Sequence, residues 1–110
     1  MEQMEIDNML QEAKKYDAEK YLAEAVKLLK RNKKIDIEVA DCEWFVVANK
    51  LILKIIYSVN GHAIVLRVVE SVFKDYQRQI DAKIGIKPGM EMRHKIILRL
   101  AYLLYTHRED

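Results

Sequence analysis

The sequence predicts an all-α fold, a single domain (1–110) of about five helices with short connections, the third helix (36–60) lying centrally. Three observations carry this expectation. Apolar residues recur at i, i+3, i+4 and i+7 along most of the chain, the spacing of a helix that buries one stripe. Only three Gly and one Pro occur in 110 residues, which leaves little chain for turns. Wound at 100° per residue, Trp44 to Tyr57 is apolar almost all round, so a helix there needs cover on both sides.

The elements follow in chain order. Ile6, Met9, Leu10 and Ala13 mark one stripe; Ala18, Tyr21, Leu22, Ala25, Leu28 and Leu29 mark another, rotated by roughly 120°. A straight helix cannot aim both at one core, so residues 1–33 predict two helices, about 5–16 and 18–32, or one kinked at Tyr16-Asp17. Asp17 is a good N-cap for the second, and Asp7 an alternative cap for the first. Asn32-Lys33-Lys34 ends the second helix and Asp36 is a cap candidate for the third, 37–59. There Trp44, Val47, Ala48, Leu51, Ile52, Ile55, Ile56 and Val59 form one stripe, and Val46, Leu53 and Tyr57 a second. Only Lys50, Lys54 and Ser58 share a polar strip.

Asn60-Gly61 is ambiguous. Asn-Gly between apolar runs is the strongest short hairpin signal, and its flanks are rich in β-branched residues. Strand alternation, however, puts Lys54 on one face with Ile52, Ile56 and Ser58, a poor segregation of polar from apolar. After the turn, Val65, Val68, Val69, Val72, Phe73, Tyr76 and Ile80 segregate well at period 3.6. Periodicity therefore favours a helix over 62–84, Gly61 then ending the third helix, with the hairpin as the alternative. Gly85 closes the fourth helix, and Pro88 suits the first turn of a fifth, 88–107, with Ile96, Ile97, Leu100, Ala101, Leu103 and Leu104 on its core face.

Composition restricts function. The formal net charge of +2 does not by itself suggest a nucleic-acid or membrane partner. The single cysteine, Cys42, allows no internal disulfide and suits a cytoplasmic protein. The first residues form no secretory signal, and Lys50 and Lys54 interrupt the longest apolar run before it reaches membrane-spanning length. Cys42 lies between Asp41 and Glu43, a setting that raises a thiol pKa and argues for a structural residue. Glu91-x-x-His94 has the spacing of a metal-ligating helical pair, but there is one such pair, beside Arg93 and Lys95. The Gly85–Gly89 loop could present an anion site at a helix N-terminus, as any helix start does. No motif fixes a reaction, so the expectation is a non-catalytic protein with no cofactor, no metal and no small-molecule ligand.

Two interaction readings remain. Val46, Leu53 and Tyr57 on the third helix, with Leu98, Tyr102 and Tyr105 on the fifth, lie outside the main core stripes. Either the first two helices cover them, or they form the interface of a homodimer or of a complex with another protein. The alternative is a nucleic-acid-associated regulator that contacts phosphates through Lys27, Lys30, Arg31, Lys33 and Lys34, a cluster the helix dipole also explains. Helix-turn-helix frames built on Gly61 or Gly85 place Arg67 and Glu70, or Glu91 and His94, where apolar residues are needed.

Overall fold

The middle of the chain folds as a sheet. The computed structural model describes residues 2–107. Two helices, α1 (Gln3–Ala13) and α2 (Ala18–Lys33), precede three strands, β1 (Ile37–Val47), β2 (Lys50–Val59) and β3 (His62–Val69). Two further helices follow, α3 (Arg78–Ile84) and α4 (Met92–Thr106). The strands form an antiparallel meander of order β1-β2-β3. The molecule is thus mixed α/β, a three-stranded sheet with four helices among the described residues, and not an all-α bundle of five helices. The helix expected over 37–59 is β1 and β2. That expected over 62–84 divides into β3, a 3-10 turn at Glu70–Phe73, and α3.

The helical pattern misled for three physical reasons. First, β2 is the central strand, with Leu51, Leu53, Ile55, Tyr57 and Val59 buried on one face and Ile52 and Ile56 half-buried on the other. A run with apolar residues on both faces, interrupted only by Lys54 and Ser58 after its first residue, is also what a nearly all-round apolar helix shows. Second, β1 carries a bulge: its register against β2 shifts between Val39 and Asp41. The extra residue, Ala40, resets the alternation, so that Ile37 and Val39 share the inner face with Cys42, Trp44 and Val46. Third, the β1–β2 turn contains no glycine. Ala48 and Asn49 both take positive φ, 49° and 63°, as a type I′ hairpin demands, and Ala announces no turn. The second turn, Asn60-Gly61, has φ of 51° and 86° and is the hairpin that the dipeptide suggests. Asp36 caps no helix. Its N–H donates to Asn60 Oδ1 (3.3 Å) and its carbonyl accepts from Asn60 N–H (2.8 Å), which closes the sheet end.

The break between the first two helices lies where the stripes change phase. A 3-10 turn, Lys14–Tyr16, ends α1, and Asp17 at φ 51° redirects the chain; its side chain makes no cap bond, so the backbone alone makes the corner. Gly85, at φ 72°, closes α3 in the left-handed conformation expected of a helix end. The last helix starts at Met92, and Pro88 lies in the loop before it.

The helices lie on one face of the sheet. Ala18, Leu22, Ala25 and Leu29 of α2 and Ile96, Leu100, Ala101 and Leu104 of α4 pack with the inner residues of the strands in the core. Tyr57 donates a hydrogen bond to the Leu104 carbonyl (2.9 Å), joining the central strand to α4. Tyr16, Trp44 and Phe73 form an aromatic cluster with ring centroids 5.4–5.7 Å apart. Buried Arg99 of α4 clamps Asp81 of α3 through two 2.8 Å bonds and donates a third, at 3.1 Å, to the Val72 carbonyl. The Arg99 guanidinium holds the Asp81 carboxyl below the usual carboxylate range, against the upward pull of desolvation. Among the described residues no helix is long and apolar enough to cross a membrane.

Candidate interaction surface

The second face of the sheet has no helix over it. Strand alternation places Glu38, Asp41, Glu43, Phe45 and Val47 of β1 there, with Lys50, Ile52, Lys54, Ile56 and Ser58 of β2, and Ala63, Val65, Arg67 and Val69 of β3. None of these residues is buried. Phe45 is 39 % exposed, Val47 58 %, Val65 46 % and Val69 47 %; these are four of the seven large apolar side chains exposed among the described residues.

The strand register arranges this face in cross-strand rungs. Phe45, Ile52 and Val69 make one apolar rung. Asp41, Ile56 and Val65 make another, apolar on two of its three strands. Between them lies a charged rung, Glu43, Lys54 and Arg67. Directly opposed residues of neighbouring strands are about 5 Å apart, so each rung is a contiguous patch. Charge is sorted by strand: acids on β1, Lys50 and Lys54 in the centre, Arg67 on β3. The Lys54 ammonium lies 5.7 Å from the centroid of the Phe45 ring and so leans toward β1. In the sequence this face is the mixture of Ile52, Ile56, Ser58 and Lys54, whose poor segregation argues against strands. In the structure the same mixture is the composition of a sheet face that is exposed yet half apolar.

The interface residues expected from sequence scatter. Leu53 and Tyr57 are buried in the chain's own core. Val46 is half-buried on the inner face. The second expected stripe, Val46, Leu53 and Tyr57, thus lies wholly on the inner face, while the first is split between the inner face, the open face and the turn, and Leu53 and Tyr57 are covered within the chain. Leu98, Tyr102 and Tyr105 do come together: they line a groove of about 380 Å³ between α2 and α4, with Leu28 and Lys33 opposite. The Lys33 ammonium sits 5.2 Å from the Tyr105 ring centroid.

That contact separates Lys33 from the other cations. Lys27, Lys30 and Arg31 fall within about 100° of arc on α2, while Lys33 turns toward α4 and Lys34, at φ 54°, lies just past the helix end. Lys27 pairs with Glu24 at 3.9 Å. Lys27 and Lys30 also border a groove of about 490 Å³ between α2 and β1, which Cys42 and Asp41 line from the strand side. Cys42 is in a strand and not at a helix start; burial, then Glu19 and Asp41, push its thiol up to about 11, away from nucleophilic character. Tyr16 donates a 2.6 Å hydrogen bond to Glu70, and burial together with that carboxylate raises its pKa. Glu91 and His94 are exposed, Glu91 pairing with Arg93 at 3.7 Å. Among the described residues no group of three or more His, Cys, Asp or Glu is placed to hold a metal ion. Comparison of the chain with models of known families, with curated proteins and with solved structures gives no match in any of the three.

Proposed function

We propose that this chain is a non-catalytic assembly module that acts as a homodimer in the cytoplasm, with the open face of its sheet as the docking surface. The observation that supports the reading is the pair of apolar-rich rungs, Phe45–Ile52–Val69 and Ile56–Val65, left on a sheet face without a helix. A two-layer fold normally buries a sheet's apolar side and presents a polar one to water. Contiguous exposed apolar residues rimmed by charge mark an interaction site. Sheet faces stack about 10 Å apart with interdigitating side chains, which a second copy of the same face provides. A cytoplasmic setting suits the lone Cys42, which stays a thiol there.

Sedimentation velocity from the low micromolar to the submillimolar range tests the reading. The wild-type protein is expected to pass from monomer to dimer. Val69→Lys is expected to remain monomeric with an unchanged far-ultraviolet circular dichroism spectrum, because residue 69 is exposed and on an edge strand. A wild type that is monomeric throughout, or a dimer indifferent to Val69→Lys, overturns it.

A further inference from the structure

We propose that the two copies meet about a twofold axis parallel to β2, so that β1 of each protomer lies over β3 of its partner. The inference rests on the homodimer reading and supplies its geometry. Two face-to-face sheets related by twofold symmetry have two simple arrangements. An axis along the rungs lays β1 over β1 and β3 over β3. An axis along the strands exchanges β1 with β3 and leaves each rung opposite its own reversed copy.

Charge decides between them. On this face β1 carries Glu38, Asp41 and Glu43, and β3 carries Arg67. The axis along the rungs lays β1 over β1; centred on the charged rung it opposes Glu43 to Glu43, Lys54 to Lys54 and Arg67 to Arg67, and like charges brought together by docking are unfavourable. The axis along β2 sets Glu43 over Arg67 of the other copy twice, once on each side of the axis. Among the described residues neither Glu43 nor Arg67 takes part in an ion pair within the chain. The apolar rung agrees with the same axis, since Phe45 meets Val69 and Ile52 meets Ile52; beyond the charged rung Ile56 meets Ile56, and Asp41 lies over Val65 of the other copy.

Lys50 and Lys54 are the residues that oppose this arrangement, since the axis passes over both; Lys50 is exposed at the end of β2, beside the turn. The ammonium of Lys54 leans toward β1, over the Phe45 ring. In the dimer the two copies of β1 lie on opposite sides of the axis, so the two Lys54 ammonium groups diverge, each toward its own Phe45 ring. The patch is small. Three strands of this length offer roughly 15 Å by 30 Å of face, at the lower end of specific interfaces, so the dimer is expected to dissociate in the micromolar range.

Charge reversal reads the axis directly. Glu43→Arg brings the new guanidinium against Arg67 of the other copy, twice per dimer, and Arg67→Glu likewise brings two glutamates together twice. Each single variant is expected to weaken dimerisation about tenfold, judged from the modest energy of exposed pairs. The double variant, Glu43→Arg with Arg67→Glu, restores both pairs and is expected to dimerise within about threefold of wild type. Added salt is expected to narrow all these differences. The neutral variant Glu43→Gln, which adds no second cation beside Lys54, is expected to lose about threefold and stands in if Glu43→Arg does not fold. Single reversals that leave the dimer unchanged, while Val69→Lys breaks it, overturn the axis and leave the sheet face as the interface. A monomeric wild type, or a dimer untouched by all these variants, overturns the homodimer reading itself.

Discussion

The two faces of the sheet are made by the same three strands and have opposite fates. On the inner face Leu53, Ile55, Tyr57, Leu66 and Val68 are all but sealed from water, under α2 and α4. On the open face the residues between them, Ile52, Ile56, Val65, Arg67 and Val69, remain half or fully accessible. Hydrophobicity alone does not tell the faces apart, because β2 carries apolar residues on both, Ile52 and Ile56 on the open one. What differs is cover. The inner face is completed within the chain; the open face has apolar rungs and sorted charge but no element of its own to meet them. The contrast makes the first face a stability device and the second the surface we propose for docking.

The largest expected effect breaks the contrast outright. Leu53→Asp inserts an unpaired carboxylate into the inner face, where no hydrogen-bond partner awaits it. The variant is expected to lose more than about 4 kcal/mol and to fail to fold, seen as loss of far-ultraviolet circular dichroism. Ile56→Lys, three residues away on the other face, is expected to fold and remain monomeric. If the two variants behave alike, the assignment of faces is wrong.

Next in size is the clamp behind the core. Asp81 and Arg99 are both buried and satisfy one another with two hydrogen bonds. Asp81→Ala leaves a buried guanidinium without its counter-charge and is expected to cost about 3–5 kcal/mol in urea denaturation. Acid acts on the same pair. The Asp81 carboxyl is held below its ordinary value, so its contribution is full above the unfolded carboxylate pKa of about 4 and disappears as pH falls through the lower folded value. Wild type is expected to lose stability progressively below about pH 4, and Asp81→Asn to show a flatter dependence there. The open face contains no comparable buried pair, so its variants are expected to alter association and leave this acid profile unchanged.

Much of the helical part of the molecule is legible in the sequence. The phase change at Tyr16-Asp17, the left-handed Gly85 and the core face of α4 all follow from local rules that tertiary structure leaves intact. The sheet is not legible by the same rules. The bulge at Ala40 interrupts the period-2 signal of β1, and Ile52 and Ile56 among the lysines break the polar face of β2 that would reveal that period. The ion pair between Asp81 and Arg99 joins two helices across a loop, and spacing along the chain gives no indication of it. Its only trace is one arginine among Ile96, Ile97, Leu98, Leu100 and Ala101. The open face is visible in the sequence as the mixed composition of alternate residues in β2. Poor segregation argues against a strand only where the second face is assumed to meet water.

The smallest expected effect concerns what keeps the two faces distinct. In a hairpin the turn fixes the register, and a slip of one residue would move every inner side chain of β1 to the open face. The two turns do this with unequal chemistry. Asn60-Gly61 is suited to positive φ at both positions, whereas Ala48 holds φ 49° with a Cβ that the left-handed region disfavours. Ala48→Gly removes that strain but adds freedom to the unfolded chain, so a net gain of about 0.5–1 kcal/mol is expected, read as a rise of a few degrees in Tm. Because residue 48 is in the turn and not on a rung, the dimerisation constant is expected to stay the same. A loss of stability in Ala48→Gly would mean that the β1–β2 register is set by side-chain pairs such as Trp44–Leu53 and Phe45–Ile52, with the turn merely following.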